Sequence, residues 1–148
     1  MLSLTYPLSP APKRTGLATD ASGIVRAVTI ATHGLSHLSL AVRDLDRGRR
    51  FYAVFGFAEY FRDAKCAQLL GPAGRDVIAL KLMPEHAGAV GGVRHFGFRR
   101  LRAEGLDAAV EAAVAAGGTL QRGGSFAPGR PYAYVTDPDG YTVELWFE

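Results

Sequence analysis

One cysteine, one tryptophan and only three lysines occur among the 148 residues. A single thiol, Cys66, closes no internal disulfide, so the fold rests on its core and suits a reducing, cytoplasmic location. No run approaches the roughly 20 apolar residues of a membrane-spanning helix. Pro7, Pro10 and Pro12 break the first residues, so no continuous apolar signal core forms and export is not expected. Charge of one sign is also scarce: the net charge of +3 is scattered along the chain. Without a basic patch or stripe, neither nucleic acid nor an anionic membrane is expected as a partner. What is present is ordinary globular composition, 48% hydrophobic and 21% charged, long enough for one domain or two small modules with a real core.

Residues 1–23 are rich in Pro, Ser, Thr, Ala and Gly without clear periodicity, and with the β-prone Ile24–Ala31, a candidate edge strand, they make residues 1–33 read as an N-terminal arm, partly disordered. From Gly34 the pattern sharpens. Leu35–Val42 alternates as a strand, and Asp44 caps a helix over Leu45–Phe55 that Gly56 ends. Phe57–Arg62, Cys66–Leu70 and Val77–Met83 then read as strands, the last after the Gly71-Pro72-Ala73-Gly74 turn. Residues 84–91 have linker composition. After them the order recurs: strand Val93–Arg99, helix Leu106–Ala116 closed by Gly117-Gly118, strand Thr119–Arg122, and a hairpin over Tyr132–Phe147 turning at Asp137-Pro138-Asp139-Gly140. The body is therefore an α+β fold of two βαβββ modules, 34–83 and 92–148, forming a curved mixed sheet. Aligned, the copies set His37 against His95 and Ile78-Ala79-Leu80 against Val143-Glu144-Leu145. Each first strand and each last strand is then expected at one central cup.

Glu144 is a carboxylate fixed mid-strand between apolar neighbours, and an unpaired buried charge is expensive. Its partner is an arginine such as Arg94 or Arg99, a hydrogen-bond network, or a metal. Likewise a histidine on a strand is a hydrogen-bonded core residue as readily as a ligand. Taken together, His37, His95 and Glu144 supply two imidazoles and a carboxylate, the donor set of a facial triad with open positions. His33, outside the repeat, and His86, in the linker, read as surface residues.

The segments Gly34–Val42, Phe51-Tyr52, Gly56-Phe57, Arg94–Phe98 and Asp137–Gly140 followed by Glu144 resemble the vicinal oxygen chelate superfamily of glyoxalases, extradiol dioxygenases, fosfomycin-resistance enzymes and bleomycin-binding proteins. The resemblance covers about Leu35–Phe147. It implies a divalent ion (Fe, Mn, Ni or Zn) on His37, His95 and Glu144, chelating a small substrate through vicinal oxygens. Metal-dependent glyoxalases of the family place a second acid at the counterpart of Glu144, where this chain has Ala79, so the three-ligand, dioxygenase-like pattern is implied. Tyr134 matches a tyrosine that contacts substrate oxygen, Asp76 stands where dioxygenases place an acid-base histidine, and Arg130 offers a cation to a carboxylate or phosphonate. A homodimer is expected, with modules paired within a chain or exchanged between chains. The alternative is a metal-free small-molecule or drug-binding protein of the bleomycin-resistance type.

Overall fold

The computed structural model describes residues 35–100 and 105–147; the N-terminal arm, the Ile24–Ala31 segment and His33 lie outside them. Eight strands and two helices follow in the order β1 His37–Val42, α1 Leu45–Ala53, β2 Ala58–Arg62, β3 Cys66–Leu70, β4 Val77–Leu82, β5 Phe96–Arg100, α2 Leu106–Ala115, β6 Thr119–Ser125, β7 Pro131–Thr136 and β8 Thr142–Phe147. The linker holds one short 3-10 turn, Pro84–His86. No helix among the described residues is long and apolar enough to cross a membrane.

The strands form two four-stranded sheets, β1-β4-β3-β2 and β5-β8-β7-β6. In each, the first and last strands of a module pair in parallel and the other pairs are antiparallel. The sheets stay separate, with β1 and β5 as edges, so they do not close into one sheet within the chain. Two boundaries moved materially: β5 begins at Phe96 and not at the expected Val93, which leaves His95 just before the strand. β6 runs on to Ser125, past the expected end at Arg122, because Gly123 and Gly124 still pair with Ala133 and Tyr132 through backbone groups that need no side chain.

Local chemistry explains the helices. The Asp44 carboxylate accepts the Arg47 backbone N–H at 2.8 Å and starts α1. Its apolar stripe buries Leu45, Phe51 and Tyr52. Alanine-rich α2 packs more lightly and buries only Ala113. Alternation sends Leu40, Val42, Leu69, Leu80, Val135, Val143 and Leu145 into one core shared by both modules. Phe98 of the second module lies 5.1 Å from Phe55 and from Phe57 and 6.4 Å from Tyr52 of the first, mostly edge-on or tilted.

Polar ties reinforce this seam. Asp137, buried at the start of the β7–β8 turn, accepts the Tyr52 hydroxyl at 2.7 Å and the backbone N–H groups of Asp139, Gly140 and Tyr141, each at 2.9 Å. Asp139, its side chain fully buried, is matched by Arg43 at 3.1 Å and Arg47 at 2.7 Å. Tyr141 reaches back to the Ala41 carbonyl at 3.1 Å. Gly118, just before β6, is packed so closely that a Cβ there would lie 2.6 Å from Phe51 Cε2 and from the Thr136 carbonyl oxygen.

Two stability outcomes follow from this seam. Gly118→Ala meets backbone that cannot retreat, and a loss of about 1–3 kcal/mol, as for overpacked cores, is expected in urea denaturation. Tyr52→Phe removes a donor to a buried carboxylate and is expected to cost about 1.5–3 kcal/mol at neutral pH. Burial raises the Asp137 pKa above its ordinary value, against the pull of the Tyr52 bond and the backbone donors. The fold therefore binds this proton more tightly than the unfolded chain, and stability falls as pH rises through the Asp137 titration. The Tyr52 bond offsets that fall, so the Tyr52→Phe deficit should shrink once Asp137 is protonated. An equal deficit at neutral and acidic pH would contradict this.

Candidate metal and substrate site

Register partners on the open face of the second sheet form one row across four strands: Gly97 on β5, Glu144 on β8, Tyr134 on β7 and Arg122 on β6. The first sheet carries the matching row Ser39, Ala79, Gln68 and Phe61. Both sheets also bulge at the same place, with one extra residue, Tyr60 or Gln121, before the last member of the row. Strand register thus equates Ala79 with Glu144, and places His37 and His95 alike, two residues before Ser39 and Gly97.

The second-sheet row is a connected polar site. His95, immediately before β5, brings Nε2 to 3.3 Å from Glu144 Oε2. Tyr134 donates its hydroxyl to the other oxygen, Oε1, at 2.7 Å. The Tyr134 ring also meets the His95 ring edge-on, with centroids 5.2 Å apart. Arg122 sets its guanidinium carbon 4.5 Å from the centre of the Tyr134 ring. Glu144 is thus held by a histidine and a tyrosine. The bond to Glu144 is the main reason the Tyr134 phenol ionises above its ordinary range; loss of hydration and the Glu144 charge add to it, while Arg122 opposes it.

The donor chemistry of this pair fits a divalent ion. Two ligands on adjacent positions of one ion, each at about 2.0–2.2 Å, lie roughly 3 Å apart, close to the observed His95–Glu144 separation. Tyr134 would then hold the second carboxylate oxygen, as outer-shell partners of ligating carboxylates do. His37, however, is exposed at the start of β1, opposite Val77, with Nδ1 3.0 Å from Ser36 Oγ. Among the described residues no three His, Cys, Asp or Glu side chains come close enough to hold a metal ion. One chain therefore unites His95, Glu144 and Tyr134, and leaves His37 on the equivalent strand of the other sheet. A cleft of about 120 Å³ is lined by Leu38, Ser39 and Leu40 of β1 and by Arg94, His95 and Phe96, so His95 borders it while His37, Glu144 and Tyr134 do not.

Asp76 is exposed directly before β4, its carbonyl closing the turn onto the Gly71 N–H at 2.8 Å, so it travels with His37 and not with Glu144. Arg130 is exposed at the tip of the β6–β7 hairpin, where its backbone accepts from Phe126 and donates to Ala127. His86 is exposed in the linker, 3.8 Å from Glu85. Sequence reasoning passed over Arg122, because it stood at the supposed end of a strand; the internal repeat and the bulge put it in the row instead.

The family model for the Glyoxalase/Bleomycin resistance protein/Dioxygenase superfamily matches residues 34–145, and the chain belongs to that superfamily. Among solved structures it is similar to a glyoxalase-related enzyme from Fulvimarina pelagi, 28% identical over 79% of this chain and 89% of that one, with a TM-score of 0.65. The fold is also that of a genomically encoded fosfomycin resistance protein from Listeria monocytogenes (24% identity, 80% and 95% coverage, TM-score 0.65). It is shared too with a lactoylglutathione lyase from Agrobacterium tumefaciens (19% identity, 78% and 94% coverage, TM-score 0.59). No curated protein sequence matches the chain.

Glu144→Gln is expected to lower the pH at which the Tyr134 phenol ionises, because a neutral amide no longer repels the phenolate. Carbon NMR of ring-labelled tyrosine, assigned with Tyr134→Phe, measures it. An unchanged titration would dissociate the two residues.

Proposed function

We propose that the protein is a divalent-metal-dependent enzyme of the glyoxalase/dioxygenase type, with His37, His95 and Glu144 as metal ligands and a small vicinal-oxygen compound as substrate. The observation that carries this reading is the His95–Glu144 pair, spaced as neighbouring ligands and buttressed by Tyr134. The third ligand is assigned to a second copy of the chain. His37 occupies the repeat-equivalent position on a separate sheet, and exchange of modules in a homodimer sets the first sheet of one copy over the second sheet of the other. Phe61 and Tyr60, 45% and 54% exposed on the first sheet, suit such a covering.

A bound divalent ion there supplies Lewis-acid polarisation of two adjacent oxygens, as in a catechol or a 2-hydroxycarbonyl compound. Which ion it is depends on ligand softness and availability, with Fe, Mn, Ni and Zn all compatible with two imidazoles and a carboxylate. Tyr134 holds Glu144 in place in the free site and turns its hydroxyl to the substrate oxygen that gains charge. Asp76, on the same module as His37, is assigned as the proton acceptor, and Arg130 as a contact for substrate reaching the hairpin tip. The alternative, a drug-binding protein without chemistry, gives the His95–Glu144 pair no work.

Mixing tests the shared site. His37→Ala and Glu144→Ala are each expected to lose metal affinity by orders of magnitude in calorimetric titration. Subunit exchange between them, in a twofold dimer, regenerates intact sites amounting to roughly one quarter of the total. No regained sites, or a monomer by light scattering at micromolar concentration, would reject the exchanged dimer. Full affinity in Glu144→Ala would reject the metal site. With a turned-over substrate in hand, Tyr134→Phe is expected to lower kcat by about 10²–10³ while metal content holds.

A further inference from the structure

We propose that Arg122 and the aromatic rings beside it form the specificity half of this site, selecting a planar aromatic ligand that carries a carboxylate or another anionic group. The inference rests on the open face of the second sheet being the substrate site, and adds the substrate class. Four arginines near α1 and β2 are matched by acids: Arg43 and Arg47 by Asp139, Arg49 and Arg62 by Asp46. Among the described residues no carboxylate lies within ion-pair distance of Arg122. It is held instead over the Tyr134 ring, a placement that a planar guanidinium takes readily against an aromatic face.

Beside it lies an aromatic platform. Tyr132 and Phe126 stack with centroids 4.2 Å apart and planes 24° apart, Trp146 meets Phe126 edge-on at 6.5 Å, and Tyr132 adjoins Tyr134 at 5.5 Å. None of Phe126, Tyr132 and Trp146 belongs to the buried core, and Phe126 is 57% exposed, so the fold does not need them for packing. Gly124 sustains the platform: a Cβ there would lie 2.8 Å from the Tyr132 hydroxyl and lift that ring off β6. Flat rings next to a planar cation that pairs with no carboxylate of the described residues are suited to a flat anion, the rings by stacking and the guanidinium by paired hydrogen bonds. Because Glu144 lies on the far side of Tyr134 from Arg122 in the row, the ligand's anionic group and its vicinal oxygens occupy opposite ends of the planar body.

Trp146 is the chain's only tryptophan and reports occupancy directly through its single indole N–H resonance. Full-length labelled protein, kept metal-free with chelator, is titrated with 3,4-dihydroxybenzoate and with its neutral amide, 3,4-dihydroxybenzamide. The expected result is a saturable shift with the acid at least tenfold tighter than with the amide, a preference that vanishes in Arg122→Gln, is partly kept in Arg122→Lys, and survives in Glu144→Ala. Because no metal is present, the outcome is independent of whether the metal site exists. Equal affinity for acid and amide, a preference that persists in Arg122→Gln, or an indole resonance that moves with neither probe would overturn the proposal.

Discussion

The buried carboxylate of Asp137 is the constraint on which the rest depends. It gathers three successive backbone N–H groups of the turn and the Tyr52 hydroxyl of α1, fixing where β8 begins relative to the first module. A carboxyl buried like this is tolerated because donors meet both of its oxygens, the backbone groups at Oδ1 and the Tyr52 hydroxyl at Oδ2. Asp139, two residues on, is held through Oδ1 by Arg43 and Arg47, while its Oδ2 is buried with no partner among the described residues. Both acids belong to the second module and their side-chain partners to the first. The hairpin that carries Tyr134 and Glu144 is thereby anchored at its turn end, and alternation along β7 and β8 then decides which side chains face the open surface.

Duplication and divergence share the site between unequal halves. The two rows occupy identical register positions, yet one reads Ser39, Ala79, Gln68, Phe61 and the other Gly97, Glu144, Tyr134, Arg122. The first is neutral and partly apolar, the second charged and hydrogen-bonded. Only the histidine before each row is common to both. A scaffold of this kind lets one module carry polar side chains where the other does not, since ladder geometry depends on backbone bonds and not on the side chains it displays.

Much of the fold was legible in the chain. Period-two alternation with glycine and proline punctuation located all eight strands, Asp44 located the start of α1, and the matching order of elements exposed the repeat. Glu144 announced itself as a carboxylate among apolar neighbours. Arg122 did not, because a pair of glycines after it imitates a loop, whereas in the sheet those glycines continue the ladder and leave room for Tyr132.

Local sequence determined element type, repeat register and which residues share a face, because those depend on side-chain period and on φ preferences that act within a few residues. It also set His37 against His95, and Glu144 against Ala79, as corresponding positions of the repeat. Only the tertiary structure decided that His95 and Glu144 meet while His37 stays apart, that Tyr134 donates its hydroxyl to Glu144, and that Arg122 lies over an aromatic ring with no carboxylate of the described residues in ion-pair distance. The contacts among His95, Glu144, Tyr134 and Arg122 turn on strand pairing within the second sheet, and the separation of His37 on how the two sheets are set by packing around Tyr52, Phe57 and Phe98; neither non-local pairing nor distance between sheets is encoded in a local pattern.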